Sequence, residues 1–147
     1  DWCFTDQDYG MSVFLNRIDT IFFGRKSYEL MLKMSKNTFP DKIKYVFSKT
    51  KKYAEDKTHS INQDIKSEIN SIKNQKGEDI WLFGGAELIS TLINYGLVDE
   101  FHLSIHPILL GGGKPLFKDI TGKMELALID TKIYSTGLVQ LFYKLIR

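Results

Sequence analysis

Ile80-Trp81-Leu82-Phe83-Gly84-Gly85-Ala86-Glu87-Leu88 is the stretch whose reading decides the fold. A short, unbroken apolar run bounded by glycines reads as a strand covered on both faces, as in a parallel sheet. Ala86 to Tyr95 then carries helical spacing and closes at Gly96, a common residue just past a helix end. A strand that passes through glycines into a helix brings backbone N–H groups and the positive end of the helix dipole to one point. There an anion gains about 0.3–1 kcal/mol. The competing reading is a tight turn that binds nothing. G-x-G-x-x-G is absent, so the turn is not a Rossmann fingerprint.

The same layout occurs twice more. Thr20-Ile21-Phe22-Phe23 runs into Gly24-Arg25-Lys26-Ser27, where a second helix, Ser27 to Met34, begins. Arg25 and Lys26 offer charge-assisted hydrogen bonds of about 1.5–3 kcal/mol, and Ser27 can cap the helix or donate to a phosphate. Tyr45-Val46-Phe47 stops at Ser48-Lys49-Thr50. Taken singly, each is equally a solvated basic turn. In open α/β sheets ligands sit at the carboxyl ends of strands, so three such ends can converge on one elongated ligand.

Around these units, Met11, Phe14, Leu15 and Ile18 space a first helix after the acidic Asp6 and Asp8. A weak strand lies near His59 to Ile61, and Ile65, Ile69 and Ile72 space another helix. From Glu100 the period becomes two: Phe101, Leu103 and Ile105 alternate with His102, Ser104 and His106. Met124 to Tyr134 and Leu138 to Ile146 form a hairpin about Ser135-Thr136-Gly137. Strands alternating with helices, then an antiparallel end, predict an α/β layered fold with a mostly parallel sheet.

The 147 residues suit one domain, and 20 basic against 18 acidic side chains leave a net charge of +2. That balance gives no reason to expect nucleic acid or a membrane surface as partner. The single cysteine, Cys3, excludes an internal disulfide and suits a reducing, cytoplasmic setting. No apolar run approaches the ~18 residues of a membrane span. His59, His102 and His106 have no metal spacing, so no metal is expected. Gly111-Gly112-Gly113-Lys114-Pro115 resembles a P-loop only superficially, because Pro115 stands where Ser or Thr should hold Mg²⁺. The chain opens on Asp1-Trp2-Cys3-Phe4 without an initiator Met, and a missing N-terminal segment is expected.

Gly24-Arg25-Lys26-Ser27-Tyr28-Glu29, Tyr45-Val46-Phe47-Ser48, Leu82-Phe83-Gly84-Gly85-Ala86, Gly96-Leu97-Val98-Asp99-Glu100 and Pro107 to Phe117 follow in an order and spacing that resembles the dihydrofolate reductase superfamily. The branch they resemble is the bacterial RibD C-terminal domain of riboflavin biosynthesis. The resemblance covers nearly the whole chain. It implies a three-layer α/β/α fold with antiparallel C-terminal strands, a single domain over residues 1–147, and an opening strand that this chain lacks. It also implies NADPH as cofactor and a small-molecule substrate, with a homodimer as a possible assembly. On this resemblance Gly24, Arg25, Lys26 and Ser27, with Phe83, Gly84, Gly85, Ala86 and Glu87, hold the pyrophosphate. Ser48, Lys49 and Thr50 flank the adenosine, and Arg25 or Lys49 meets the 2′-phosphate. Pro107, Leu110, Gly111 and Gly112 line the substrate side. Asp8, or after it Asp6, falls near the position of a proton-delivering acid, although a helix cap is the favoured role for either. The implied reaction is hydride transfer to a ribosylaminopyrimidine-like or pterin-like ring. A dihydrofolate reductase and a non-catalytic nucleotide-binding module are the alternatives. The folate-binding arginine of true dihydrofolate reductases has no counterpart after Pro40.

Overall fold

The computed structural model describes residues 2–36 and 38–147. Among the described residues the order is α1 (Met11–Asn16), β1 (Ile18–Gly24), α2 (Arg25–Met34), β2 (Ile43–Phe47), β3 (Thr58–Ile61), α3 (Ile65–Lys73), β4 (Asp79–Gly84), α4 (Ala86–Asn94), β5 (Glu100–Ile105), β6 (Leu126–Ile133) and β7 (Val139–Leu145). Four strands form a parallel sheet in the order β3-β2-β1-β4, and three form an antiparallel sheet in the order β5-β7-β6.

β1 is central, and its sequence explains why. Successive strand side chains point to opposite faces, so a strand covered on both sides is apolar where it is covered, here over Ile21, Phe22 and Phe23. Phe22 joins Phe47, Ile61, Ile69, Ile72, Leu88 and Leu92 in a core that packs α3 and α4 on one face. Ile21 and Phe23 join Tyr28, Met31 and Val46 under α2 on the other, with Phe14 of α1 and Trp81 of β4 at its margin. Helices on both faces make this the three-layer α/β/α arrangement that the resemblance implies.

The antiparallel strands stand apart as their own sheet. β7 pairs with both β5 and β6, and the β6–β7 turn closes where Gly137 N–H donates to the Tyr134 carbonyl over 2.9 Å. Gly137 has φ +86, a left-handed value suited to glycine. No β4–β5 ladder joins the two sheets among the described residues. Arg17 ties their near corners instead: its Nε donates to Asp79 over 2.7 Å, and its Nη2 lies 3.5 Å from Glu100 Oε2.

One element differs from the sequence reading. Ile18 fits the helical spacing of Met11, Phe14 and Leu15, yet α1 ends at Asn16 and Ile18 begins β1. Pairing with β4 decides this: Ile18 registers with Asp79, whose N–H donates to the Arg17 carbonyl over 3.0 Å. Among the described residues no helix is long and apolar enough to cross a membrane.

Phe23 is fully enclosed, so Phe23→Ala leaves a cavity beneath α2. Urea denaturation will show a loss of about 3–5 kcal/mol.

Candidate functional site

The parallel register sets three strand ends level with one another. Gly24 pairs with Phe47, and Phe23 pairs with Gly84. Gly24, Ser48 and the Gly84–Gly85 pair therefore meet at the carboxyl rim of the parallel sheet. The contact is close enough to exclude side chains. A Cβ at Gly24 would lie 3.0 Å from the Gly85 nitrogen and 3.3 Å from the Gly84 oxygen, and neither backbone can yield as a flexible side chain would. Gly84 has φ +131, which other residues rarely adopt, and its peptide bond to Gly85 is cis. A Cβ at Gly85 would lie 3.2 Å from Ser27 Oγ.

Helices α2 and α4 both start on this rim. Their N-caps are Gly24 and Gly85, and neither receives a side-chain capping hydrogen bond. The first-turn N–H groups of two helices thus stand beside a surface stripped of side chains, which is a physical fit for a pyrophosphate. Glu87, in the first turn of α4, adds a negative charge that works against an anion there; its carboxylate is exposed and 3.9 Å from Lys118 Nζ. Lys26 is exposed on α2, and Ala86 opens α4. Phe83 leaves part of its ring open beside Phe23 and Trp81, at centroid distances of 4.8 and 4.9 Å.

Ser48 is buried and shapes its loop: its Oγ accepts the Lys51 N–H over 2.9 Å, and its carbonyl accepts Asn62 Nδ2 over 2.9 Å. Lys49 and Thr50 are exposed beyond it. This loop feeds a charged cluster that the sequence reading did not assemble. Glu29 receives Arg25 Nη1 at 3.2 Å, Lys51 Nζ at 2.7 Å and the Tyr53 hydroxyl at 2.8 Å. The hydrogen bonds from Lys51 and then Tyr53 hold the Glu29 carboxyl down to about 2. Burial, and then the bond to Glu29, pushes the Tyr53 phenol up to about 12. Glu29 lies four residues after Arg25 on α2, and that spacing was the available signal. Lys51 and Tyr53 come from a loop whose fold the sequence does not announce.

Among the described residues, two cavities lie against β5. The larger, of about 560 Å³, lies between β4 and β5. The smaller, of about 250 Å³, is lined by Tyr9, Phe14, Trp81, His102, Gln140 and Phe142 among others. Both include Phe14, Arg17, Trp81 and His102, so they adjoin. Aromatic walls with a few polar groups suit a flat heteroaromatic ligand. The sequence reading placed the substrate side on Pro107, Leu110, Gly111 and Gly112, and none of these lines either cavity. Pro107 packs against Gly137, while open space surrounds Gly111 and Gly112. Leu116 and Phe117 of the same stretch do reach the larger cavity. Asp8 is exposed just before α1, where its carboxylate accepts the Ser12 N–H at 3.1 Å and the Ser12 hydroxyl at 2.9 Å. Among the described residues no group of three or more His, Cys, Asp or Glu side chains is placed to hold a metal ion.

Known proteins match this arrangement. The RibD C-terminal domain pattern fits residues 24–140. YyaP of Bacillus subtilis (strain 168), an uncharacterized protein, is 48% identical over 155 residues, covering 97% of this chain and 82% of YyaP. A crystal structure from Shewanella sp. PV-4, provisionally assigned to riboflavin biosynthesis, superposes with TM-score 0.85 at 25% identity, covering 97% of this chain and 82% of that one. Dihydrofolate reductase from Enterococcus faecalis, complexed with NADP(H), shares the fold with TM-score 0.70 at 16% identity, covering 97% and 84%.

The Glu29 cluster has a pH signature. A carboxyl held at about 2 in the folded chain, against an ordinary 4.5, stabilises the fold above pH 4.5, and that stability is lost as pH falls toward 2. Glu29→Gln removes the linkage. Denaturation at pH 7 and pH 3 will show a smaller acid-induced loss in the variant than in the parent. An equal loss in both would mean the cluster is not formed in solution.

Proposed function

We propose, for a chain that belongs to the RibD C-terminal domain family, an NADPH-dependent reductase. Its substrate on this reading is a ribosylaminopyrimidine-like or pterin-like ring, of which 5-amino-6-(5-phosphoribosylamino)uracil is the leading case. The observation that carries the reading is the backbone contact of Gly24 with Gly84–Gly85, flanked by two helix starts without side-chain caps. The fold shared with a dihydrofolate reductase complexed with NADP(H) supports it.

Gly24 to Ser27 and Phe83 to Glu87 would hold the pyrophosphate through backbone N–H groups and the Ser27 hydroxyl. Ser48, Lys49 and Thr50 border the adenosine end, where Arg25 is available to a 2′-phosphate. Glu29 lies 3.2 Å from Arg25 Nη1 and restrains the guanidinium. When bound, the dinucleotide supplies the hydride. The protein contributes alignment and a dry wall: Phe14 stands edge-on to Trp81 at 5.2 Å, and His102 edge-on to Phe142 at 4.8 Å. Asp8 is the proposed proton source. It precedes Tyr9, which lines the smaller cavity.

The test is steady-state NADPH oxidation with the aminouracil substrate and, separately, with dihydrofolate. Turnover with the first and not the second is expected. Tight NADPH binding without turnover of either would leave a binding module. Arg25→Ala removes a charge-assisted contact of about 1.5–3 kcal/mol. Fluorescence titration will show NADPH weakened about tenfold or more, with NADH unchanged. Equal losses for both would remove Arg25 from 2′-phosphate recognition. Asp8→Asn will lower kcat about a hundredfold, leaving the NADPH dissociation constant unchanged. If stability falls by about 1 kcal/mol and kcat holds, Asp8 serves only to start α1.

A further inference from the structure

Lysines stand at positions 49, 51 and 52, just past the end of β2. Among the described residues only Lys51 of these is fixed by both its backbone and its side chain. Its N–H donates to Ser48 Oγ over 2.9 Å, and its carbonyl accepts Asn62 Nδ2 over 3.3 Å. Its Nζ lies 2.7 Å from Glu29 Oε1. Lys49 and Lys52 are exposed, and neither enters an ion pair among the described residues.

Glu29 makes Lys51 one half of a pair. Its other oxygen, Oε2, lies 3.2 Å from Arg25 Nη1, so one carboxylate bridges a cation of α2 and a cation of the β2 loop. Arg25 directly follows Gly24, and Gly24 registers with Phe47, the neighbour of Ser48. Both cations therefore stand on the same stretch of the rim. Cations that a carboxylate spans are at a separation that a phosphate can span as well. Donors remain for one. A guanidinium carries five N–H donors and an ammonium three, and Glu29 engages one nitrogen of each side chain. Both stay open to an incoming ligand, with 34% of the Arg25 side chain and 58% of the Lys51 side chain exposed.

The bridge is anchored from beneath. The Tyr53 hydroxyl donates to the same Glu29 Oε1 over 2.8 Å. Its ring stands edge-on to the buried Tyr28 at 5.1 Å. Its N–H donates to Ser60 Oγ of β3, and its carbonyl accepts the Ser60 hydroxyl over 3.0 Å. Support thus runs from β3 through Tyr53 to Glu29, and from Glu29 to both cations. A long side chain already held in one geometry loses less freedom when a ligand arrives. The charge of Glu29 opposes a phosphate, but two cations outnumber it.

We propose that Lys51 is a specificity-determining residue that clamps, together with Arg25, a phosphate monoester at the adenosine end of the ligand. Glu29 and Tyr53 are positioning residues that hold the two cations for it. The inference rests on the reading of this rim as a dinucleotide site, and it names what makes that site select the phosphorylated dinucleotide.

The experiment is calorimetric titration with NADPH, NADH and adenosine 2′,5′-bisphosphate, the last of which carries the phosphate without the nicotinamide half. The parent protein is expected to prefer NADPH to NADH. Lys51→Met will weaken NADPH and the bisphosphate about tenfold and leave NADH unchanged. Lys52→Met removes the same charge one residue away and will change each affinity by no more than about twofold. Glu29→Ala gives a test of sign. Through its field alone the loss of a negative charge would tighten phosphate binding, whereas the loss of positioning will weaken NADPH about threefold. Tyr53→Phe will act in the same direction, and unchanged NADH affinity shows that each variant is folded. Equal losses in Lys51→Met and Lys52→Met overturn the proposal, as do equal losses for NADPH and NADH in Lys51→Met. Tighter NADPH binding by Glu29→Ala removes the positioning role. A parent that binds NADPH and NADH equally overturns the clamp and leaves the dinucleotide reading standing, while a parent that binds neither overturns both.

Discussion

The approach of Gly24 to Gly84–Gly85 is the constraint around which the rest is arranged. Adjacent parallel strands normally keep side chains between their ends, and here the backbones themselves meet, with the place of a Cβ at Gly24 only 3.0 Å from a neighbouring nitrogen. That contact requires β1 and β4 to be neighbours, which their apolar sequences allow because both faces of the sheet are covered. It also starts α2 and α4 from one place, and so aims the positive ends of two helix dipoles at the same region. The two apolar cores hold the strand ends in register, and that register gives the rim its chemistry.

Electrostatics then divides the rim. Its glycine section exposes backbone donors, and its outer section carries the Arg25–Glu29–Lys51–Tyr53 cluster. Three donors around one carboxylate keep Glu29 ionised far into acid, so the guanidinium and ammonium are held beside it. The group is solvent-accessible, and its value lies in orientation more than in stability. A charged ligand would find these cations already placed.

Much of this was legible in the sequence, for reasons particular to each element. Phe22-Phe23-Gly24 and Leu82-Phe83-Gly84-Gly85 declare strands and their turns, because apolar runs and glycines act locally, although β4 is only half-buried and its Phe83 is exposed. The period of two after Glu100 declares the antiparallel end in the same way. Ile18 was misread because helical spacing ignores the strand partner that captures it. The aromatic cavity was not legible, since Phe14, Trp81, His102 and Phe142 come from four separate elements and meet only in three dimensions. The glycines after Leu110 drew attention by their composition, although they lie in open space.

The order of strands in the smaller sheet bears on how the protein emerges from the ribosome. Every strand of the parallel sheet has been synthesised by Gly84, so that half can pair while translation continues. The other half cannot. Its middle strand is β7, which follows both of its partners in the sequence, and among the described residues β5 and β6 have no ladder until it arrives. For the length of that interval β5 and β6 present unpaired edges to chaperones and to other nascent chains. A nonsense codon at Val139 would remove the strand that holds both its neighbours, and a chain ended there would keep that exposure permanently.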